Sequence, residues 1–196
     1  MRAVVTVALL VGGCDLVYNL DRPDTTGWAE LSVGNAHVCG RTQNHELYCW
    51  GSNLQGEVGI GDELTTIDTA TQIEGAWTQV STAYFHTCAL AEDQTASCWG
   101  LNTNGQLGTG SVTSTRIPKP LEGMWAKLHA SYIGSCAIDT DAHLWCWGHN
   151  GYGQVGDGTM TSRLAPLQIG DARWRDVAMA SLHTCGIQDD GTLWCW

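Results

Sequence analysis

Short stretches rich in Trp, Val, Thr and Tyr, broken by Gly and Asp, read as strands along most of this chain. In Leu144-Trp145-Cys146-Trp147, alternate side chains point to opposite faces of a strand. Leu144 and Cys146 then share one face, and Trp145 and Trp147 the other. Leu193-Trp194-Cys195-Trp196 repeats the pattern. Both faces are apolar, which suits neither a simple sandwich nor a small barrel with one wet face. It suits a sheet stacked between two other sheets.

The strands recur in fixed register. Trp28, Trp77, Trp125 and Trp174 are spaced 49, 48 and 49 residues apart. Cys39, Cys88, Cys136 and Cys185 each follow their Trp by eleven residues, and Cys49, Cys98, Cys146 and Cys195 follow by ten more. Trp50, Trp99, Trp147 and Trp196 come next, then Asn53, Asn102 and Asn150, then a glycine ladder typified by Gly56, Gly59 and Gly61. Units of 40–50 residues with several strands are propeller blades. The expected class is all-β, with units 28–76, 77–124, 125–173 and a truncated 174–196. Gln188-Asp189-Asp190-Gly191-Thr192 suits a three-residue hairpin loop with Gly191 left-handed. That hairpin sets Cys185 opposite Cys195, and the same symmetry pairs Cys39 with Cys49, Cys88 with Cys98, and Cys136 with Cys146.

The run Cys98-Trp99-Gly100-Leu101-Asn102-Thr103-Asn104-Gly105-Gln106-Leu107-Gly108-Thr109-Gly110, with His86-Thr87-Cys88 before it and Pro118 and Pro120 after it, resembles the regulator of chromosome condensation repeat. The resemblance covers about residues 28–196. It implies a seven-bladed propeller, of which this chain supplies roughly half. A fragment is the main expectation; assembly with copies, or a smaller ring closed by residues 15–27, are the alternatives. A well-known family member exchanges guanine nucleotide on a small GTPase through an inserted wedge. The period here never exceeds 49, which leaves no room for one. A secreted bacterial inhibitor of β-lactamases looks similar in fold, so these repeats also serve as pure binding surfaces.

Residues 1–13 have the order of an export signal: Met1-Arg2, an apolar run from Ala3 to Val11, then Gly12-Gly13 before Cys14. Val11-Gly12-Gly13-Cys14 resembles the lipobox of bacterial lipoproteins, which implies lipid on Cys14 as the only membrane attachment. Residues 14–27 then form a tether. The expected location is the cell envelope or the exterior.

The chain has 9 basic against 20 acidic residues, a net charge of −11, which argues against nucleic-acid binding. His37, His86 and His183 each precede a paired Cys by one residue and raise zinc as an option. Gly134 in the third unit's His slot opposes it. An oxidising compartment favours four disulfides. Repetition makes the glycine run a turn, not a phosphate cradle, and makes the Trp residues packing, not sugar platforms. No catalytic set recurs, and no cofactor or metal is expected. The expectation is a non-enzymatic module that binds an unknown protein or surface ligand. The variable stretches Asp62–Ile73, Ser111–Arg116 and Thr159–Arg163 are its expected rim loops. An exchange regulator and a secreted enzyme inhibitor are the alternatives. A fragment would expose Trp28 and Tyr48 at one end and Trp194 and Trp196 at the other, and so self-associate. The lipobox makes one outcome testable: a fatty-acid analogue labels the exported chain and fails to label Cys14→Ser.

Overall fold

The computed structural model describes residues 27–196. The leader, Cys14 and all of the tether but Gly27 lie outside them. Strands β1 (Trp28–Val33), β2 (His37–Thr42), β3 (Leu47–Ser52) and β4 (Thr66–Ile73) form one antiparallel sheet in that order. Strands β5 (Trp77–Thr82), β6 (His86–Ala91), β7 (Ala96–Gly100) and β8 (Thr115–Pro120) form the second. The third blade is β9 (Trp125–Ala130), β10 (Gly134–Asp139), β11 (His143–Gly148) and the first half of β12 (Arg163–Met179). The second half of β12 pairs with β13 (Thr184–Gln188), which pairs with β14 (Leu193–Cys195). One continuous strand therefore serves as the outer strand of blade three and the inner strand of blade four. No helix forms among the described residues.

The two-faced strands bury both faces, in separate cores. Leu144 and Cys146 join Trp174, Val177 and Met179 of blade four. Trp147, from the same strand, joins Leu107 and Cys98 of blade two. The first interface repeats this with Leu47 and Cys49 against Trp77 and Trp99. Each blade thus turns a Leu/Cys face forward and a Trp face backward. Inner strands also meet directly: Gln79 Nε2 donates to Leu128 O and its Oε1 accepts from Leu128 N, both at 2.9 Å. The amide reaches across as a neighbouring strand would. Outer strands carry Pro118 and Pro120, which cannot donate to a further ladder.

This polarity corrects one expectation. Trp196 does not face outward at the C-terminal end. It packs 5.8 Å from Trp174, toward blade three. The side chains left open there are Leu193, 67% exposed, and Trp194, 55% exposed. At the other end Trp28 and Tyr48 meet edge to face at 5.9 Å, beside exposed Leu31 and Val33. The variable stretches also differ from simple loops. Residues 66–73 of the first are strand β4, because outer-strand pairing begins there.

Gly191 is left-handed, with φ 87°. The same hairpin slot holds His45, Gln94 and Ala142, at φ 65°, 67° and 67°. The carbonyls of these three accept from Trp77, Trp125 and Trp174 N of the following blade at 2.7–2.8 Å, so tertiary pairing holds the strained turn. Gln94 is exposed. Gln94→Gly should raise stability by roughly 0.5–1 kcal/mol, since the left-handed penalty for a side chain exceeds glycine's entropy cost. A urea unfolding midpoint measures it; an unchanged or lower midpoint contradicts the strain.

Candidate functional site

One face of the blades carries the β1–β2 type turns and the long loops that lead to the outer strands; the other carries the hairpins. On the loop face the recurrent Asn residues are knots. Asn102, fully buried, donates from Nδ2 to Ser111 O and Thr113 O at 2.9 and 3.1 Å, and accepts from Leu107 N at 2.9 Å. Asn53 and Asn150 do the same in their blades. One buried amide thereby fixes each loop. The sequence showed these Asn without showing their partners.

The loops are then locked to the next blade. Thr87 Oγ1 and Trp99 Nε1 both donate to Glu57 O at 2.9 Å. Ser135 Oγ and Trp147 Nε1 both donate to Gln106 O, at 3.0 and 2.9 Å. Thr184 Oγ1 and Trp196 Nε1 both donate to Gln154 O, at 2.7 and 3.1 Å. A Cβ on Gly108 would sit 2.8 Å from Trp147 Nε1, and one on Gly156 2.4 Å from Trp196 Nε1. The middle glycine of each ladder is the seat of the next blade's Trp.

The histidines complete this lock. His37 Nε2 lies 2.8 Å from Thr87 Oγ1, and His86 Nε2 2.9 Å from Ser135 Oγ. Those hydroxyls spend their hydrogens on carbonyls, so Nε2 is the donor and Nδ1 is bare. Both Nδ1 atoms are buried without a partner, as a neutral ring allows. Burial lowers His37 to about 4, with Glu57 pulling the other way. Burial, then the neighbouring His37, lowers His86 to about 3. In the third unit Met179 fills the space over Gly134. His183 is exposed.

All eight paired cysteines are bridged within their hairpins: Cys39–Cys49, Cys88–Cys98, Cys136–Cys146 and Cys185–Cys195, each with Cα atoms 4.1 Å apart. Their sulfurs hold each other, which leaves no thiolate for zinc. Four such bridges fit an oxidising compartment. Among the described residues no group of three or more His, Cys, Asp or Glu is placed to hold a metal ion. No helix there is long and apolar enough to cross a membrane.

The variable rim is anchored by Arg116, whose Nη1 donates to Asn53 O at 2.9 Å while Nε pairs with Glu63 at 3.1 Å. Arg163 pairs instead with Asp157 in its own blade. Nearer the axis, the β1–β2 type turns hold an aromatic cluster that sequence reasoning missed. Tyr84 meets Phe85 at 4.4 Å and Tyr132 at 4.5 Å between ring centroids. Tyr132 is 43% exposed, and Leu182, in the next turn, 52%. The turns 83–85 and 131–133 contain no charged residue. The hairpin face contrasts sharply: Glu92, Asp93, Glu122, Asp141, Asp189 and Asp190 all lie exposed there.

Both buried histidines make acid destabilising. The unfolded rings take up a proton near pH 6.5 and the folded rings do not, so stability is full above that pH. It falls as pH drops from 6.5 toward 4 and 3, by at most about 1.4 kcal/mol per pH unit for each ring. His86→Gln should lose stability at pH 7 yet show a flatter decline between pH 6.5 and 4. Urea midpoints across that range measure it, and a parallel decline refutes the neutral-ring assignment.

Two models of the regulator of chromosome condensation (RCC1) repeat match the chain, one at residues 28–57 and 77–106, the other at 98–134 and 141–187. No curated protein sequence matches it. Human WBSCR16 is similar in structure, at 22% identity and TM-score 0.81, over 92% of this chain and 50% of that one. Prp20p from Saccharomyces cerevisiae, studied for its binding to Gsp1p and histones, gives 19% identity and TM-score 0.78, over 91% and 47%. The ectodomain of the Arabidopsis thaliana receptor kinase ACR4 gives 21% and 0.59, over 89% and 54%. The chain spans about half the length of these structures. Repeat register, blade topology and family match agree, and the chain belongs to the regulator of chromosome condensation repeat family of β-propellers.

Proposed function

We propose that this chain is a non-enzymatic binding module of an exported protein, held at a bacterial envelope through Cys14, which takes a protein partner on its loop face. One observation carries the reading. Tyr84-Phe85 and Tyr132-Ile133 occupy a turn slot that blade one fills with Asn35-Ala36. The blade therefore folds without bulk there, and the fold does not account for the rings that blades two and three place in it. Loops on a rigid scaffold are where binding is usually built, and aromatic residues are enriched at the centres of interfaces. The disulfides support the exported setting and weigh against a cytosolic GTPase partner of the kind Prp20p binds.

Transplanting the blade-one pair tests this. Tyr84→Asn, Phe85→Ala and Tyr132→Asn together should leave the unfolding midpoint within about 1 kcal/mol, as surface changes usually do. They should abolish retention of an envelope protein that the unaltered chain captures and that binds it again when purified. Equal binding by the triple variant removes the loop face from the reading. Fractionation of the intact chain into the cytoplasm removes the exported setting.

A further inference from the structure

The hairpin side of the second interface holds a feature that neither fold nor loop face uses. A cleft of about 680 Å³ lies between blades two and three, within the size range of small-molecule sites. Trp125 and Trp145 form its aromatic wall, Met124 an apolar one, and Glu122, Asp139 and Asp141 bring carboxyl groups. No Lys or Arg lines it.

The carboxylates are not equivalent. Asp139 Oδ1 accepts from Asp141 N at 2.9 Å and His143 N at 2.8 Å, and Oδ2 accepts from Trp145 Nε1 at 2.8 Å. In blade one a hydroxyl, Thr42 Oγ1, takes the corresponding turn amides of Asn44 and Glu46 at 3.2 Å. In blade two the turn acid is Asp93, and it is occupied by Thr95 N and Oγ1. In blade three Asp139 does the work of the turn, which releases Asp141. Neither Asp141 nor the exposed Glu122 has a side-chain hydrogen-bond or ion-pair partner among the described residues.

Asp139 also aims the indole. With its N–H fixed and its ring at 90° to Trp125, 6.0 Å between centroids, Trp145 is held half-buried in the wall. The slot does not require it: Tyr48, Ser97 and Trp194 stand there in the other blades. Trp125, 2% exposed, has an indole N–H buried in the same wall without an acceptor.

We propose that this cleft binds an organic cation, an ammonium or guanidinium group stacked on Trp145 with Glu122 and Asp141 as its counter-charges. A positive group over an indole is favoured by the ring's electrostatics, most of all when partly desolvated. The two carboxylates supply the long-range attraction and make it sensitive to salt. An oxygen acceptor carried beside the cation would meet the unsatisfied Trp125 N–H. A free amine and an Arg or Lys side chain of a polypeptide share this chemistry. The site lies on the opposite side of the blades from the aromatic turns, so its test is independent of the loop-face reading.

The test uses the disulfide-bonded chain and calorimetric titration with N-acetyl-arginine amide, against the neutral isostere N-acetyl-citrulline amide. Saturable binding of the arginine probe, at least tenfold tighter than the citrulline probe and weakened by salt, is the expected result. Affinity should fall at least tenfold in Trp145→Ser, which installs blade two's own residue, and in the double variant Glu122→Gln/Asp141→Asn. The double variant alters only exposed side chains and carries the test if Trp145→Ser misfolds. Equal affinity for both probes, or unchanged affinity in the double variant, overturns the proposal. Tighter binding of agmatine than of an Arg-containing heptapeptide identifies a free amine as the source; the reverse order identifies a polypeptide.

Discussion

Everything in this molecule follows from a sheet with two apolar faces. A blade cannot bury both on its own, so stability lies in the interfaces. Leu47 and Cys49 have no partners within blade one; they become core only against Trp77 and Trp99. The hydrophobic gain per interface comes from large rings and aliphatic groups removed from water, at roughly 25 cal/mol per Å². The direction of stacking is set by the seat of each Trp on a ladder glycine, since any side chain at Gly108 or Gly156 would collide with the indole.

Polar groups at these interfaces then decide register. One carbonyl, such as Gln106 O, accepts from both a hydroxyl and an indole of the next blade. Sliding one blade against the other would strand two buried donors at once, and each unmet buried donor costs about 1–3 kcal/mol. The disulfides act at a different level. Each closes a ten-residue hairpin, which limits the unfolded chain by roughly 3 kcal/mol in the loop-entropy picture. They hold the hairpins together before stacking and contribute no contact between blades. The chain thus divides its stabilisation between covalent staples inside blades and shape and hydrogen bonds between them.

The sequence made the local and periodic part of this legible. Alternation in Leu144-Trp145-Cys146-Trp147 foretold the two faces, and ten-residue spacing across a symmetric turn foretold cysteines opposite one another. Gly191 announced its left-handed turn; Gln94 and Ala142 adopt the same turn unannounced, because the backbone bonds that hold them come from the next blade. The direction of Trp196 was illegible for the same reason. Alternation separates two faces but does not say which neighbour each face meets. The long-range partners of Asn102, His86 and Arg116 needed coordinates, since their spacing of 29 to 63 residues leaves no local trace. The cleft beside Trp145 was hidden because its residues come from three separate stretches, each ordinary in isolation.

A repeat also separates the residues that folding demands from those it tolerates. Slots filled alike in every unit, the paired Cys, the seated Trp and the knotted Asn, are all consumed by packing. The slot at Asn35, Tyr84, Tyr132 and Ser181 is filled differently each time, and the same holds for Tyr48, Ser97, Trp145 and Trp194. Side chains in such slots answer to something other than the blade. Their chemistry is sorted by face: uncharged rings on the loop side, carboxylates and one oriented indole on the hairpin side. A scaffold so uniform in its cores, yet so different between its two rims, presents two chemically distinct surfaces from a single stacking rule.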